Sequence, residues 1–335
     1  MPVASGKDCS ASPLYLDSAS LKACLSDEEI YEIVSQTLRE MNSTNVVKGP
    51  KAGFGFDING DHLHMGSVCG AVLSSSAAGI KWFTVADRNL SRSLPRVPAT
   101  VLVCDAETGM LQGVLNGTQL TSERTAAMAV AAASACCRRS MKKAAVVGAG
   151  AIGSALVKFL ALTQPVDHIA VASLRESSAR QACDAVGLAL RLGLTLTPTA
   201  DVSRAVRDAD VVFTSTGVSK DTDVVSSEWL KKGAVVCTLG TRREVDTKLL
   251  SDAWIVVDDA DGIRLRRGDF REGGVGWNRI VGDIGSVMSG QLPLPPDDKK
   301  INVVLIGTGM LDVALGARAI VNARRKGLGI QLERQ

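Results

Sequence analysis

The chain has little of what several classes of protein depend on. Aromatic residues make up 4% of its 335 residues, which argues against a nucleic-acid binder that stacks bases on rings. The net charge is only +3, and no run of five or more basic residues marks a polyanion site. Of three histidines, His62 and His64 share a strand face without further ligands at suitable spacing, so no metal site is expected. We expect the partner to be a small molecule.

Disulfide and membrane signals are also absent. The eight cysteines lack CxxC spacing and mostly lie in apolar segments, where free thiols behave as small hydrophobic side chains in a reducing compartment. No apolar run approaches the roughly 20 residues that a spanning helix needs. The opening MPVASGKDCSAS lacks the apolar core of a signal peptide. We therefore expect a cytoplasmic protein with no membrane partner.

The first third of the chain has the pattern of a helix followed by an antiparallel sheet. Residues 25–42 start with a Ser-x-x-Glu capping signal at Ser26 and repeat apolar residues at helical spacing. The runs DHLHMGSV, AGIKWFTV, ATVLVCD and MLQGVLN have the composition of strands, and DAETG and NG supply turns. An α+β unit is predicted up to about residue 120.

The pattern changes at Lys142. From there, short apolar runs alternate with helical segments, which predicts a Rossmann-type doubly wound parallel sheet and an α/β fold class. We predict a first domain over 1–130 and a dinucleotide-binding domain over 131–309. A closing helix from about 311 to 325 is predicted to carry 310–335 back to the first domain rather than to pack on the second.

A glycine motif stands where a cofactor would bind. Gly148, Gly150 and Gly153 have GxGxxG spacing directly between a buried strand and a helix. Such glycines permit a tight turn, close approach of a pyrophosphate and close helix packing, and the helix N-terminus favours the anion. The alternative is a turn that only packs an α/β unit. The predicted cofactor-binding residues of this turn are Gly148, Gly150, Ala151, Ile152 and Gly153.

The second parallel strand indicates which dinucleotide is preferred. An Asp or Glu at its end would bind a bare ribose 2′-hydroxyl, but Ser173 stands there, followed by Arg175. A guanidinium beside hydroxyls suits a 2′-phosphate, so the pattern favours NADP over NAD. Further cofactor-binding residues are predicted after the fourth and fifth strands, at the carboxyl edge of the sheet. These are Thr214, Ser215, Thr216, Leu239 and Gly240.

Arg124 is a charge at the head of an otherwise small and apolar helix, in TSERTAAMAVAAASACC. A planar guanidinium can bind a carboxylate through two hydrogen bonds, and a helix N-terminus adds a favourable dipole for anions. We predict that Arg124 binds a substrate carboxylate. The alternative is an interdomain salt bridge to Asp or Glu.

Four motifs in order, AGIKW (78–82), SERTAAMA (122–129), GAGAIG and GTGMLD (307–312), resemble the ornithine cyclodeaminase/μ-crystallin family over nearly the whole chain. Within the family, the chain most resembles the dehydrogenases that make 2,3-diaminopropionate from N-(2-amino-2-carboxyethyl)-glutamate. The features that carry this resemblance are GIKW, Arg96 and the spacing from Asp312 to Gly329. The resemblance implies an NAD(P)-dependent oxidoreductase acting on an amino-acid-derived amine or imine. It also implies that the first domain is a substrate-binding and dimerisation domain, so a homodimer is expected.

The resemblance also implies roles for individual residues. Arg124 would hold the substrate α-carboxylate and Thr125 would reach the cofactor phosphates. Lys81, the lysine of the G-x-K strand, would exchange a proton with the amine or imine, because burial disfavours its charge. The alternative for Lys81 is a strand lysine whose ammonium reaches solvent.

The resemblance also bears on the remaining cations and on a late aspartate. The family's upstream carboxylate anchor maps most simply to Lys48, with Lys51 as a near competitor. Arg96, in the loop VADRNLSRSLPR, is a further predicted substrate-binding residue. Asp312 matches a late family aspartate, either as an orienting residue near the nicotinamide or as a cap of the closing helix.

The chain departs from the cyclodeaminases after the fifth strand. Those enzymes have an aspartate there that acts on the amine, whereas Arg242 occupies the nearest position in LGTRREVD. A cation cannot serve as that base, and only Glu244 or Asp246 could replace it by swinging in. We therefore expect hydride transfer without ring closure. Reduction of a ketimine or imino acid, cyclodeamination, and ligand binding without chemistry remain alternatives.

Overall fold

The computed structural model describes residues 11–186, 193–217, 222–239, 244–260 and 277–333. Within these ranges the chain forms two sheets. The first has the strands β1 (Leu14–Leu16), β2 (Val46–Ile58), β3 (Asp61–Val72), β4 (Ala77–Ala86), β5 (Ala99–Asp105), β6 (Leu111–Asn116) and β15 (Ile330–Gln331). Their order is β15-β1-β6-β5-β4-β3-β2, antiparallel except for the parallel pair of β1 with β6.

The second sheet is parallel throughout, which confirms the predicted fold class. Its strands are β7 (Lys143–Val147), β8 (His168–Ala172), β9 (Thr195–Thr199), β10 (Val211–Thr214), β11 (Val235–Leu239), β12 (Trp254–Val257), β13 (Ile280–Asp283) and β14 (Ile301–Leu305). The order is β13-β12-β14-β11-β10-β7-β8-β9. From β7 the chain runs to β8 and β9 on one side of the sheet and then crosses to β10 on the other side of β7. Such a reversal of strand order is expected to leave a crevice at the carboxyl ends of the strands.

Helices cover both sheets and join them. They are α1 (Ser18–Cys24), α2 (Asp27–Arg39), α3 (Gly117–Cys136), α4 (Ala151–Thr163), α5 (Glu176–Asp184), α6 (Val202–Val206), α7 (Thr247–Asp252), α8 (Ile284–Met288) and α9 (Gly309–Lys326). Short 3₁₀ turns occur at Leu73–Ser75, Asp87–Arg92, Ser227–Trp229 and Trp277–Arg279. The long α3 connects β6 of the first sheet to β7 of the second and packs on α2 and α4.

The capping signal before α2 is present as predicted. The Ser26 hydroxyl accepts from the Glu29 amide and the Glu29 carboxylate accepts from the Ser26 amide, both at 3.2 Å. These two bonds satisfy orphan amides of the first turn. The helix then buries Ile30, Val34 and Leu38 at intervals of four residues.

The strand β2 was not predicted. Its sequence VVKGPKAGFGFDI contains three glycines and a proline, which are poor strand formers. The structure accommodates Pro50 in a bulge, where the pairing with β3 shifts between Lys48 and Lys51. Asn59 and Gly60, with φ of 53° and 80°, close the hairpin with a two-residue turn. The hairpin pairing therefore overrides the weak local preference.

The closing helix α9 starts two residues earlier than predicted and lies across β3 and β4 of the first sheet. It ends at Gly327, whose φ of 66° forms a left-handed C-cap. The strand β15 then pairs with β1. The C-terminal segment thus returns to the first sheet, while the exact boundaries 1–130, 131–309 and 310–335 stay our interpretation of the domains.

Candidate active site

A cavity of about 1480 Å³ lies between the two sheets. Its lining includes residues of β4, the first half of α3, the turn between β7 and α4, and the turn before α9. Because α3 begins at Gly117, Arg124 lies about two turns inside the helix, and the prediction that it stands at the helix N-terminus is wrong. Of the predicted site residues, those on the cavity wall are Lys81, Arg96, Arg124, Thr125, Gly148, Gly150, Ala151, Ile152, Ser173, Ser215, Thr216 and Leu239. The folded chain therefore brings the predicted cofactor turn and the predicted cations to one cavity.

The three glycines of the turn differ in what they do. Gly148 has a φ of 106°, and a Cβ there would lie 2.6 Å from the Ser215 carbonyl oxygen. A Cβ on Gly153 would overlap the Gly148 carbonyl oxygen, so Gly153 allows α4 to pack against the turn. Gly150 is the N-cap of α4, and a Cβ there would meet no atom within 4 Å. Gly150 therefore leaves room for a ligand at the helix N-terminus, as a pyrophosphate requires.

Three predicted cofactor residues do not line the cavity, and a fourth cannot be placed. Gly153 has the packing role described above. Thr214 is completely buried, and its hydroxyl donates to a Glu244 carboxylate oxygen at 2.7 Å. Its prediction as a direct cofactor ligand is wrong, because β10 ends one residue before the cavity wall. Arg175 is exposed at the N-cap of α5, next to Leu174 on the wall. Gly240 lies outside the described residues.

Lys81 is buried in β4, with 2% of its surface exposed. Its neighbours across the sheet are Val68 and Val101. The Nζ atom donates to Asp312 Oδ1 at 3.1 Å and lies 3.0 Å from Oδ2. Burial, reinforced by the nearby Arg124 and opposed by Asp312, lowers the pKa of Lys81 to about 7. The lysine is buried rather than directed to solvent, and its pKa suits proton exchange near neutral pH.

Arg124 has an acidic partner, but not across the two domains. Its Nε donates to Asp312 Oδ1 at 3.2 Å, and Asp312 belongs to α9, which packs on the first sheet. The two terminal nitrogens lie beside Gly307 on the cavity wall, where a Cβ would come within 3.1 Å of Nη1. The ion pair therefore orients the guanidinium through Nε, and its Nη side borders the cavity.

Asp312 is the shared partner of these two cations. It is completely buried in the first turn of α9, behind the cavity wall. It does not cap the helix, because the N-cap residue is Thr308 and no side chain makes a capping bond there. Of the two roles considered for Asp312, the orienting role fits its contacts with Lys81 and Arg124.

The competition between Lys48 and Lys51 is decided by position. Lys51 pairs with Val68, which also pairs with Lys81, so the two lysines lie on one sheet face. Lys51 lines the cavity and donates to the Ile306 carbonyl at 2.9 Å.

Lys48 is not brought into the cavity. It pairs with Gly70, over which the backbone of Met310 at the start of α9 is packed, with Met310 N 2.5 Å from a Cβ built on Gly70. The Lys48 ammonium instead donates to Asn42 Oδ1 at 3.2 Å. Lys48 was the wrong choice as a carboxylate anchor, since it bonds Asn42 and does not line the cavity.

Arg96 reaches the cavity from the loop after β4. Its Nε donates to Asp87 at 2.5 Å and its Nη2 donates to the Gly217 carbonyl at 3.0 Å. Both partners also line the cavity. Arg96 therefore links the first sheet's loop to the second sheet along the cavity wall.

The family model described as "Ornithine cyclodeaminase/mu-crystallin family" matches residues 17–321. The chain belongs to this family. A curated relative named Delta(1)-pyrroline-2-carboxylate reductase, from Paracoccus denitrificans, is 27% identical over 66% of the chain and 73% of the relative.

Two solved structures have the same fold as this chain. One is the Thermococcus litoralis Delta(1)-pyrroline-2-carboxylate reductase in complex with NADH and L-proline. It has a TM-score of 0.84 at 20% identity and covers 95% of this chain and 100% of that one. The other is an archaeal alanine dehydrogenase dimer with bound NAD. It has a TM-score of 0.82 at 22% identity and covers 96% of this chain and 99% of that one.

Two buried acids near the cavity make contacts that were not predicted from the sequence. Asp258 accepts from the amides of Ile306, at 3.0 Å, and Gly307, at 2.6 Å. It thereby fixes the turn that contacts Lys51 and Arg124. Burial raises the pKa of Asp258. The signal available was an acid directly after the buried strand WIVV, at the carboxyl edge of the parallel sheet.

The second acid is Glu244, which is completely buried and does not line the cavity. Asp246 is the N-cap of α7 and accepts from the Leu249 amide at 2.7 Å. Neither carboxylate is therefore placed to act on a substrate amine. Arg242 lies outside the described residues.

Neither a metal cluster nor a membrane helix is found among the residues that the structure describes. In the part of the chain that the structure describes, no group of three or more His, Cys, Asp or Glu side chains is placed to hold an ion. His62 instead contacts Asp57 through Nδ1 at 2.8 Å. No helix in the described ranges combines the length and apolarity needed to cross a bilayer. The cytoplasmic location stays a prediction.

Proposed function

We propose that this protein is an NAD(P)-dependent oxidoreductase that transfers hydride to or from the nitrogen-bearing carbon of an amino-acid-derived amine or imine. One observation carries the proposal: Lys81 and Arg124 share the carboxylate of Asp312 at the wall of the cavity that also contains the glycine turn. A proton-exchanging group and a carboxylate-binding group thus face the same space as a dinucleotide site. The pyrroline-2-carboxylate reductases named among its relatives support the same class of reaction.

The residues present fit a nicotinamide dinucleotide. The N-terminus of α4, beside the open space at Gly150, would hold the pyrophosphate. The Thr125 hydroxyl donates to the Thr121 carbonyl at 2.6 Å, so it would have to rotate to donate to a phosphate oxygen. When bound, the dinucleotide supplies or accepts the hydride, which no side chain can do. The segment Ser215–Thr216 and Leu239 border the part of the cavity where the nicotinamide half would lie.

We propose a preference for NADP over NAD. The strand β8 ends at Ser173 on the cavity wall, with no acid to bind a ribose 2′-hydroxyl or repel a 2′-phosphate. Arg175 is exposed two residues later. The solved neighbours bind NADH and NAD, so this preference would set the chain apart from them. Titration of NADPH and NADH into wild-type and Arg175→Ala protein tests it: Arg175→Ala should weaken NADPH binding and leave NADH binding unchanged.

The cations have separate tasks in this proposal. Arg124, oriented through Nε, would bind a substrate α-carboxylate with its terminal nitrogens, and Lys51 would add a second positive charge. Lys81 would give a proton to the amine nitrogen or take one from it at Nζ. Asp312 would keep Lys81 and Arg124 in register, so that the reacting carbon is held at a fixed place in the cavity.

For the substrate we propose N-(2-amino-2-carboxyethyl)-L-glutamate, which carries three carboxylates. Arg124, Lys51 and Arg96 are three cations on the cavity wall that could receive them. Oxidation of the secondary amine transfers a hydride to NAD(P)⁺ and releases a proton, which leaves an imine. Water then hydrolyses the C=N bond to give 2,3-diaminopropionate and 2-oxoglutarate.

A second candidate is reduction of a cyclic ketimine or another imino acid. The relatives named Delta(1)-pyrroline-2-carboxylate reductase favour it, and it uses Arg124 and Lys81 in the same way without Arg96. Of the two, the first makes use of Arg96 in addition to Arg124 and Lys81.

The deciding experiment is a turnover panel. The purified protein is incubated with NAD⁺ or NADP⁺ and N-(2-amino-2-carboxyethyl)-L-glutamate, and with NADH or NADPH and cyclic ketimines or 2-oxo acids plus ammonia. Absorbance of the reduced coenzyme is followed. We expect coenzyme reduction with the glutamate derivative. Turnover of ketimines only supports the second candidate, ammonia release from ornithine without net coenzyme change indicates a cyclodeaminase, and tight binding without turnover indicates a ligand-binding protein.

We also propose a homodimer formed through the first sheet. Apolar side chains are exposed on its strands, including Phe54, Ile58, Trp82 and Leu102. The alanine dehydrogenase neighbour, described as a dimer, supports this arrangement. Light scattering after size exclusion should give twice the chain mass, and a Trp82→Glu variant should give the monomer mass.

A further inference from the structure

Glu244 is a buried acid that the proposed chemistry does not use. No part of its surface is exposed. One carboxylate oxygen accepts from the Thr214 hydroxyl at 2.7 Å, and the other accepts from the Thr216 amide at 2.6 Å and the Thr216 hydroxyl at 2.5 Å. The Gly217 backbone lies close enough to the same carboxylate to oppose the rise that burial causes in the pKa of Glu244. A single side chain thus fixes most of the segment 214–217 at the end of β10.

This segment lies directly against the glycine turn. The Ser215 amide donates to the Val147 carbonyl at 2.8 Å, and its hydroxyl donates to the Gly148 carbonyl at 3.2 Å. A Cβ built on Gly148 would lie 2.6 Å from the Ser215 carbonyl oxygen and 2.9 Å from the Thr216 amide nitrogen. Ser215 and Thr216 thus form the floor of the cofactor turn, the surface against which Gly148 packs. Movement of Thr216 away from Glu244 would therefore displace this floor.

The other end of the segment meets the first domain. The Gly217 carbonyl accepts from Arg96 Nη2 at 3.0 Å, and Arg96 Nε is held by Asp87 at 2.5 Å. Gly217 has a φ of 68°, and a Cβ there would overlap Arg96 Nη1. The position of Arg96 at the cavity wall thus depends on the backbone of Gly217, which directly follows Thr216, the residue that Glu244 holds.

We propose that Glu244 is a positioning residue that sets both the floor of the cofactor turn, through Thr216, and the place of Arg96, through Gly217. The inference rests on the proposed function for the identity of the ligands, but Glu244 itself touches neither cofactor nor substrate. The carboxylate is suited to this task because both of its oxygens accept, whereas an amide offers one acceptor and two donors.

The test uses Glu244→Gln in the full-length protein, with Asp246→Asn as the matched control. Asp246 lies two residues away and bonds Ser226, Ser227 and Leu249, none of which lines the cavity. NADH binding is measured by the fluorescence of the coenzyme. Glu244→Gln should raise the Kd for NADH about tenfold, as expected when a buried donor loses its acceptor. Asp246→Asn should stay within about twofold of wild type, because it loses no contact with the cavity.

A second measurement tests the connection to Arg96. For the imino-acid or amine substrate, kcat/KM is determined for Glu244→Gln, Arg96→Ala and the double variant. If Glu244 acts through Gly217 on Arg96, the loss caused by Glu244→Gln should be much smaller in the Arg96→Ala background. A role confined to folding stability would instead give the same fold-loss in both backgrounds.

The proposal is overturned if folded Glu244→Gln binds NADH within about twofold of wild type, or if the double variant shows independent losses. Should Glu244→Gln fail to fold, Thr214→Val replaces it: this variant removes the hydroxyl from one carboxylate oxygen and should raise the Kd for NADH about threefold. An unchanged Kd in Thr214→Val overturns the proposal as well.

A wild-type protein that binds NADH but turns over none of the substrates contradicts the proposed function only. The measurement of NADH binding still decides the role of Glu244.

Discussion

The two walls of the cavity are built on different principles. The functional part of the wall from the parallel sheet is backbone: Gly148, Gly150 and the N-terminus of α4. The functional part of the wall from the first sheet is charged side chains, with Lys81 and Arg124 joined by Asp312. A backbone site needs only local spacing, whereas the charged site exists only after strand, helix and C-terminal segment have packed together. The two walls should therefore respond differently to substitution.

The largest effect is expected on the charged wall, from Lys81→Met. Methionine fills a similar buried volume but cannot exchange a proton, so kcat/KM should fall about 10²–10⁴-fold. NADH affinity should change little, because the glycine turn is on the opposite wall. Steady-state kinetics and coenzyme fluorescence measure the two quantities.

The control for this variant is Lys142→Met, which changes an exposed lysine that pairs with Asp167 at 3.4 Å. It should retain wild-type kinetics. If Lys81→Met is folded and turns over substrate at the wild-type rate, Lys81 does not exchange the proton.

On the backbone wall, two glycines should separate folding from binding. Gly153→Ala places a Cβ on the Gly148 carbonyl oxygen, so both the melting temperature and NADH binding should fall. Gly150→Ala meets no protein atom within 4 Å and has a φ of −80°, which alanine adopts freely. Its melting temperature should be unchanged, while its Kd for NADH should rise about tenfold or more because the pyrophosphate approaches this backbone.

The comparison fails if Gly150→Ala binds NADH like wild type, since a ligand then does not approach the N-cap of α4. Equal losses of thermal stability in both variants would also contradict the separation, because only Gly153 is packed against the protein itself.

The pH dependence should report the charged wall alone. Burial and Arg124 lower the pKa of Lys81 to about 7. In the direction of imine reduction the protonated lysine is required, so kcat/KM should decrease about tenfold per pH unit above that pKa. In the oxidative direction the neutral amine is required, and kcat/KM should increase as the pH rises through the same value. The Kd for NADH should show no inflection at this pH. If it did, the titrating group would lie at the cofactor site and not on the charged wall.

How far the sequence could predict each wall follows from the same difference. The motif GAGAIG, between a buried strand and a helix, predicted the turn and the parallel sheet because both depend on neighbours in the chain. The role of Asp312 as shared partner could not be predicted from the residues. Lys81 and Arg124 are 43 positions apart in the chain, and Asp312 follows 188 positions after Arg124. The strand β2 was missed because its glycines and Pro50 are held by pairing with β3 and not by local preference.

The smallest of these effects should distinguish the two lysines of β2. Lys51 lies on the cavity wall beside Phe83, with its Nζ 5.7 Å from the ring centre. Lys48 bonds Asn42, which also donates to Asp283 of the second sheet at 2.8 Å. Because Lys51 supplies one partly exposed charge to a substrate carboxylate, Lys51→Ala should raise KM several-fold, corresponding to about 1 kcal/mol or less. Its kcat should be unchanged, since Lys81 still exchanges the proton.

Lys48→Ala should leave KM unchanged and lower only the melting temperature, through loss of the contact with Asn42. If Lys48→Ala raises KM and Lys51→Ala does not, the charged wall in solution is not arranged as the pairing across Val68 indicates. The register of β2 would then have to differ on either side of the bulge, because that bulge alone decides which of the two lysines stands next to Lys81.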